Sequence, residues 1–122
     1  MNELIANDAT NSLKEKIDFL SRPSSYHKVT TVEVLETHMS WVFLTDKYVY
    51  KLKKPVTYPF LDFSTLQARR KYCMEEIRVN KLLAGDTYLG VVALKSFRGE
   101  LQLDGKGEPI DYLVKMKRLH RE

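Results

Sequence analysis

The sequence predicts an α+β fold, an antiparallel sheet carrying one long helix. Two observations predict it. Three short β-branched, aromatic or Leu-rich runs follow one another at Val29–Glu36, Trp41–Thr45 and Tyr48–Leu52, and a long helical stretch then separates them from further strand-like runs at Tyr88–Leu94, Glu100–Leu103 and Ile110–Met116. The joints between the first three, Thr37-His38-Met39-Ser40 and Asp46-Lys47, are too short to hold a crossover helix, so the strands form an antiparallel meander of a sheet with about five strands. No βαβ pattern and no dinucleotide fingerprint occur.

The elements follow in order. Residues 1–10 start loosely. Ser12 followed three residues later by Glu15 makes a capping box, and Leu13, Ile17 and Leu20 share one face of a short helix that ends near Arg22-Pro23. In the middle strand Trp41 and Phe43 alternate with Val42 and Leu44, which predicts burial on both faces. Pro55 and Pro59 break the sheet. Ser64 with Gln67 reads as a second capping box opening the helix Thr65–Ala84, with Gly85 as its C-terminal cap. On that helix Leu66, Cys73, Ile77, Asn80 and Ala84 form one stripe, flanked by Met74 and Leu83, that packs on the sheet. Turns are expected at Arg98-Gly99 and at Asp104-Gly105-Lys106-Gly107. There is no internal repeat.

Composition fits one folded domain spanning residues 1–122. The chain has 30% charged and 43% hydrophobic residues, with only 5 Gly and 4 Pro, which excludes a low-complexity or disordered segment. Apolar runs such as Trp41–Leu44 and Leu89–Leu94 are far shorter than the roughly 20 residues a spanning helix needs, so no membrane segment is expected. The N-terminus lacks the pattern of a secretory signal, and a single cysteine, Cys73, favours the reducing cytoplasm. The net charge of +4 gathers in two places, Lys47–Lys54 and Lys115–Arg121. These are read either as solvated strand ends or as a phosphate site.

Several chemistries have no signal. There is no glycine-rich phosphate loop, and His27, His38 and His120 are too scattered to suggest a metal centre. Cys73 lies on an apolar stripe and reads as an inert core residue. Lys51 is different. It lies within a strand, on the same face as Val49 and Lys53, and a helix with a carboxylate near its sheet-facing stripe follows. A lysine so placed can neutralise nucleotide phosphates while the carboxylate orients it. On the helical wheel Glu76 reaches toward the sheet and Glu75 faces solvent. Lys53 and Lys54 read as solvated at the strand end.

The runs ETHMSWVFL, YVYKLKKPV, FLDFSTLQARRKYCMEEIRVNKLL, YLGVV and DYLVKMKRL, in this order, resemble the N-terminal region of the bacterial aminoglycoside phosphotransferase-like family, in the subgroup whose members often carry an ATP-binding domain downstream. The resemblance covers roughly residues 13–119 and implies a protein-kinase-like N-lobe. By position, Tyr48-Val49-Tyr50-Lys51 is similar to the kinase V-A-I-K strand, which implies that Lys51 contacts ATP phosphates, that Glu76 pairs with it and that Val49 lines the nucleotide site. Thr37-His38-Met39-Ser40 takes the place of the nucleotide-covering loop, although it has no glycine, so the hydroxyls of Thr37 and Ser40 would substitute. Val114–Leu119 is similar to the hinge strand that reads adenine, with Met116 at the back wall and Lys117 and Leu119 beside it.

The resemblance also implies what is missing. The catalytic Asp, the Asn and second Asp that hold magnesium, and the surface for a hydroxyl-bearing small-molecule acceptor belong to a C-terminal lobe, and after Leu119 only three residues remain. Asp62, Asp86, Asp104 and Asp111 read as turn or strand-start residues that match none of those motifs. No catalytic residue and no metal ligand is therefore assigned in this chain. Alone it is expected to bind nucleotide weakly or not at all, to turn nothing over, and to self-associate through the exposed lobe interface. The alternatives are a small basic module that binds nucleic acid through its strand lysines and the exposed aromatics Tyr48 and Tyr50, or a non-catalytic pseudo-kinase lobe.

Overall fold

The Ser12 hydroxyl accepts from the Glu15 N–H at 3.1 Å and the Glu15 carboxylate accepts from the Ser12 N–H at 2.9 Å, so the expected capping box opens helix α1, Leu13–Leu20. A computed structural model of the chain describes residues 12–119. The expectation for residues 1–10 lies outside them, as do His120 and Arg121.

Beyond α1 come strands β1 (Glu33–Glu36), β2 (Ser40–Leu44) and β3 (Tyr48–Lys53), helix α2 (Leu66–Ala84), and strands β4 (Tyr88–Phe97), β5 (Glu100–Leu103) and β6 (Glu108–Lys117). All strand pairs are antiparallel, in the order β1-β2-β3-β6-β4-β5. The sheet has six strands rather than about five. The last strand inserts between the third and the fourth, which closes the meander and the β4–β5 hairpin into one sheet.

Each face is covered by one helix. Leu13, Ile17 and Leu20 of α1 pack with Phe43, Tyr50, Leu52, Leu94, Ile110 and Leu113 in the main core. Helix α2 packs against β4 and β6 on the other face, where the Cys73 thiol donates to the Tyr112 carbonyl oxygen at 3.7 Å. Because α2 lies over β4 and β6, β2 is not buried on both sides as expected. Phe43 is fully buried, whereas Val42 and Leu44 remain half-exposed.

Three further expectations are corrected. Thr65, not Ser64, caps α2: its hydroxyl accepts from the Ala68 N–H at 3.1 Å, while the Ser64 N–H donates to Asp62. The buried stripe of α2 runs through Arg69 and Cys73, with Leu66, Ile77 and Asn80 half-buried. Ala84, Met74 and Leu83 are exposed: the final turn carries Leu82, Leu83 and Ala84 into solvent, and Met74 lies off the buried Arg69–Cys73 stripe.

Asp111 is the third. It is fully buried inside β6, beyond Leu113, the last β6 residue paired with β3, and there it meets two cations. Lys16 of α1 lies 3.0 Å from one carboxylate oxygen and Arg69 of α2 lies 2.9 Å from the other. Arg69 also donates to the Phe63 carbonyl oxygen at 2.8 Å. Both helices and the central strand are thereby joined through one carboxylate, whose Oδ1 also accepts from the Tyr112 N–H at 2.9 Å. No helix among the described residues is long and apolar enough to cross a membrane.

Candidate functional site

Strand register decides which candidate residues share a surface. Val49, Lys51 and Lys53 alternate onto one face of β3, opposite Leu44, Val42 and Ser40 of β2. On the other side Val49 pairs with Met116 and Lys51 with Val114 of β6, and Tyr88 of β4 pairs with Met116. Ser40, Val49, Lys51 and Met116 therefore lie on the face that carries α2. Where α2 does not cover it, Val42, Leu44, Val49 and Met116 form a half-buried apolar strip beside the Lys51 ammonium.

Glu76 reaches this face from α2. Its Oε2 accepts from Lys51 Nζ at 2.8 Å and its Oε1 from Lys53 Nζ at 2.9 Å, so one carboxylate spans two lysines of the same strand. Lys53 is thus not solvated: its side chain is only 12% exposed, and its ammonium lies 5.3 Å from the Phe63 ring centroid. The Lys51 side chain is more open, at 26%, with its ammonium 5.6 Å from the Tyr88 ring. Lys54 is also held, by Glu36 at 2.6 Å and over the Trp41 ring. Glu75 faces away and pairs with Arg78 on the exposed side of α2.

The electrostatics follow from this geometry. Burial alone would push the Lys51 ammonium down, but the hydrogen bond and charge of Glu76, with Tyr88 adding, outweigh it and hold its pKa above the ordinary lysine value. Burial likewise works to raise Glu76, yet the two lysines hold its carboxyl below the usual carboxylate range. Nearby, burial pushes the Cys73 thiol up to about 12, which makes it a poor nucleophile.

The remaining candidates separate from this cluster. The Thr37 hydroxyl donates to the Ser40 carbonyl oxygen and accepts from the Ser40 N–H, so it closes the β1–β2 turn rather than facing a ligand. Lys117 alternates to the opposite side of β6 and pairs with Asp86 at 3.0 Å. Leu119 lies past the end of β6 and is 74% exposed. Sequence reasoning passed over Lys53 and Tyr88. Lys53 carried a signal, its position two residues from Lys51 on one strand face; Tyr88 carried none, because β4 meets β3 only through β6. A cavity of about 320 Å³ adjoins the pair on the Lys53 side, lined by Met39, Leu61, Phe63, Tyr72 and Val79 together with Glu76. A larger open groove, about 530 Å³, lies between α1 and the β4–β5 turn and contains none of these residues. Among the described residues no group of three or more His, Cys, Asp or Glu is placed to hold a metal ion.

The chain is similar to uncharacterized proteins of Mycobacterium tuberculosis and Mycobacterium bovis, each 37% identical over 87 residues, 69% of this chain and 16% of theirs. It therefore spans only 16% of the length of the curated relatives it matches. No family model matches the chain. No solved structure matches it.

Proposed function

We propose that this chain is the nucleotide-binding lobe of an ATP-dependent small-molecule phosphotransferase of the aminoglycoside phosphotransferase-like, kinase-fold type. The observation that carries the reading is the ion pair between Lys51 on the third strand and Glu76 on the helix that follows. Protein kinases use a lysine on their third strand and a helix glutamate in this way to hold ATP phosphates.

The surroundings fit a nucleotide. Lys51 offers a partly exposed cation for phosphate oxygens, and Val42, Leu44, Val49 and Met116 offer an apolar strip for a base. ATP, when bound, supplies the γ-phosphoryl group for transfer to an acceptor hydroxyl. The chain's own residues bind and orient: Lys51 neutralises phosphate charge, Glu76 fixes the Lys51 ammonium, and the strip excludes water from one side. The base, the magnesium ligands and the acceptor surface are assigned to a second lobe. Leu82, Leu83 and Leu119, each at least 74% exposed, are apolar surface that such a lobe could cover. An ATP-dependent enzyme with one buried cysteine fits the cytoplasm.

The nucleic-acid alternative draws less support, because Tyr50, one of the two aromatics it relies on, is buried rather than exposed.

The test is γ-phosphoryl transfer by the intact protein to a panel of hydroxyl-bearing small molecules. Lys51→Ala is expected to lower kcat by at least about 100-fold with an unchanged circular dichroism spectrum. Full activity in that variant would refute the assignment of Lys51.

A further inference from the structure

On the face of the sheet away from Lys51 there is a smaller cavity, of about 180 Å³, where the segment that follows α1 meets the strands. Tyr26 of that segment, Tyr50 of β3, Val92 of β4, Leu103 of β5 and Lys115 of β6 line it, together with the exposed Asp104. Tyr50 and Lys115 are direct cross-strand partners, so both side chains lie on this face. The other cross-strand neighbour of Lys115 is Gly90, where an added Cβ would meet no atom within 4 Å, so the surface beside the lysine is open.

Two donors here are unspent. Of the four lysines on β3 and β6, Lys51, Lys53 and Lys117 each pair with a carboxylate, whereas the half-buried Lys115 ammonium meets ring faces, Tyr48 at 4.2 Å and Tyr50 at 5.8 Å. Among the described residues it has no hydrogen-bond acceptor. Tyr50 is only 6% exposed, and its hydroxyl also lacks a partner among them, yet its oxygen is not sealed off and so opens on the cavity that Tyr50 lines. The neighbouring hydroxyls differ. Tyr26 donates to the Leu20 carbonyl oxygen and Ser25 to that of Phe19, which fixes this wall and uses its donors. A nearly buried phenol without a partner is costly, and an ammonium held against aromatic faces keeps N–H donors for an acceptor, so both groups favour an anion between them.

We propose that this cavity binds a small carboxylic acid as its anion. The carboxylate accepts from the Lys115 ammonium and the Tyr50 hydroxyl, and the apolar body of the ligand lies against Tyr26, Val92 and Leu103. The cavity is smaller than the roughly 300–1,000 Å³ of drug-sized sites, so the ligand is small. One unpaired ammonium with the Asp104 carboxylate in the same lining suits a single negative charge and disfavours the multiple charge of a phosphate ester. The site does not rest on the nucleotide reading.

The test titrates sodium benzoate and its neutral isostere benzamide into the intact protein, followed by NMR on labelled Met, Val and Leu methyl groups and on tyrosine rings. Benzoate is expected to shift Tyr50, Val92 and Leu103 and to leave Val49 and Met116 unmoved, with benzamide at least about tenfold weaker. Lys115→Gln should weaken benzoate by at least about tenfold, and Tyr50→Phe, which keeps the ring, by about fivefold. No shift at tens of millimolar benzoate, equal binding of benzamide, or full affinity in Lys115→Gln would overturn the site. Inorganic phosphate binding at the same residues as tightly as benzoate would overturn the carboxylic-acid class. Should Lys115→Gln not fold, Tyr50→Phe decides: a weakened Kd for benzoate supports the site, and an unchanged one overturns it.

Discussion

The Lys51 ammonium lies 2.8 Å from Glu76 Oε2, and this contact ties the third strand to the helix that follows it. Lys53 makes a second contact of the same kind, to Glu76 Oε1 at 2.9 Å. The partners sit 25 residues apart, yet one strand alternation and one helical turn place both on the same face.

Acid should weaken this tie in a defined window. Glu76 has a folded-state pKa below its ordinary value of 4.5, so its contribution to stability is full above about 4.5 and is lost as pH falls through the folded value. Lys51 is raised above 10.5, so its contribution is full below 10.5 and is lost only as pH rises further. The difference in unfolding free energy between wild type and Glu76→Gln should be flat between these limits and shrink below pH 4.5. Urea melts across pH measure it; a difference that grows on acidification would contradict the pairing.

Asp111 should be the most sensitive charged position for folding. Asp111→Asn leaves Lys16 and Arg69 buried without a counter-charge and is expected to cost about 3–5 kcal/mol. Lys16→Met, which leaves the arginine pair intact, should cost less. Chemical denaturation gives both values, and a loss below about 1 kcal/mol for Asp111→Asn would show that the carboxylate is not the hub described.

Cys73 should resist alkylation in the folded chain. It is fully buried, with its thiol pushed up to about 12. Iodoacetamide at pH 8 should label it at least about 100-fold more slowly than in urea. Equal rates would mean that α2 is not seated on β6.

Gly107 should tolerate no side chain. It has φ +109°, and a Cβ there would lie 2.2 Å from the Ser96 carbonyl oxygen. Gly107→Ala should destabilise by roughly 2 kcal/mol or more, read as a lowered melting temperature. An unchanged melting temperature would contradict this β5–β6 turn.

Much of the fold was legible because its signals are local. The Ser12 capping box, the short joints of the meander and the Gly85 cap each depend on neighbours within a few residues. Lys51 and Glu76 were legible for the same reason, since strand alternation and the helical wheel orient each of them. What stayed hidden depends on long-range pairing. Asp111 lies 95 residues from Lys16 and 42 from Arg69, and nothing near any of the three marks it for burial. The half-open face of β2 was equally invisible, because it follows from which strands α2 covers. Thr37 looked available to a ligand until the Ser40 backbone claimed both sides of its hydroxyl.

The central claim is that the Lys51 face binds a nucleotide. Met116 and Val49 lie on that face, while Tyr50 and Lys115 lie on the other. ATP titrated into the intact protein, followed by NMR on labelled Met and Val methyl groups and on tyrosine rings, should shift Met116, Val49 and Val42 and leave Tyr50 unmoved. Shifts confined to Tyr50 and its neighbours, or no shifts at millimolar ATP, would contradict the account.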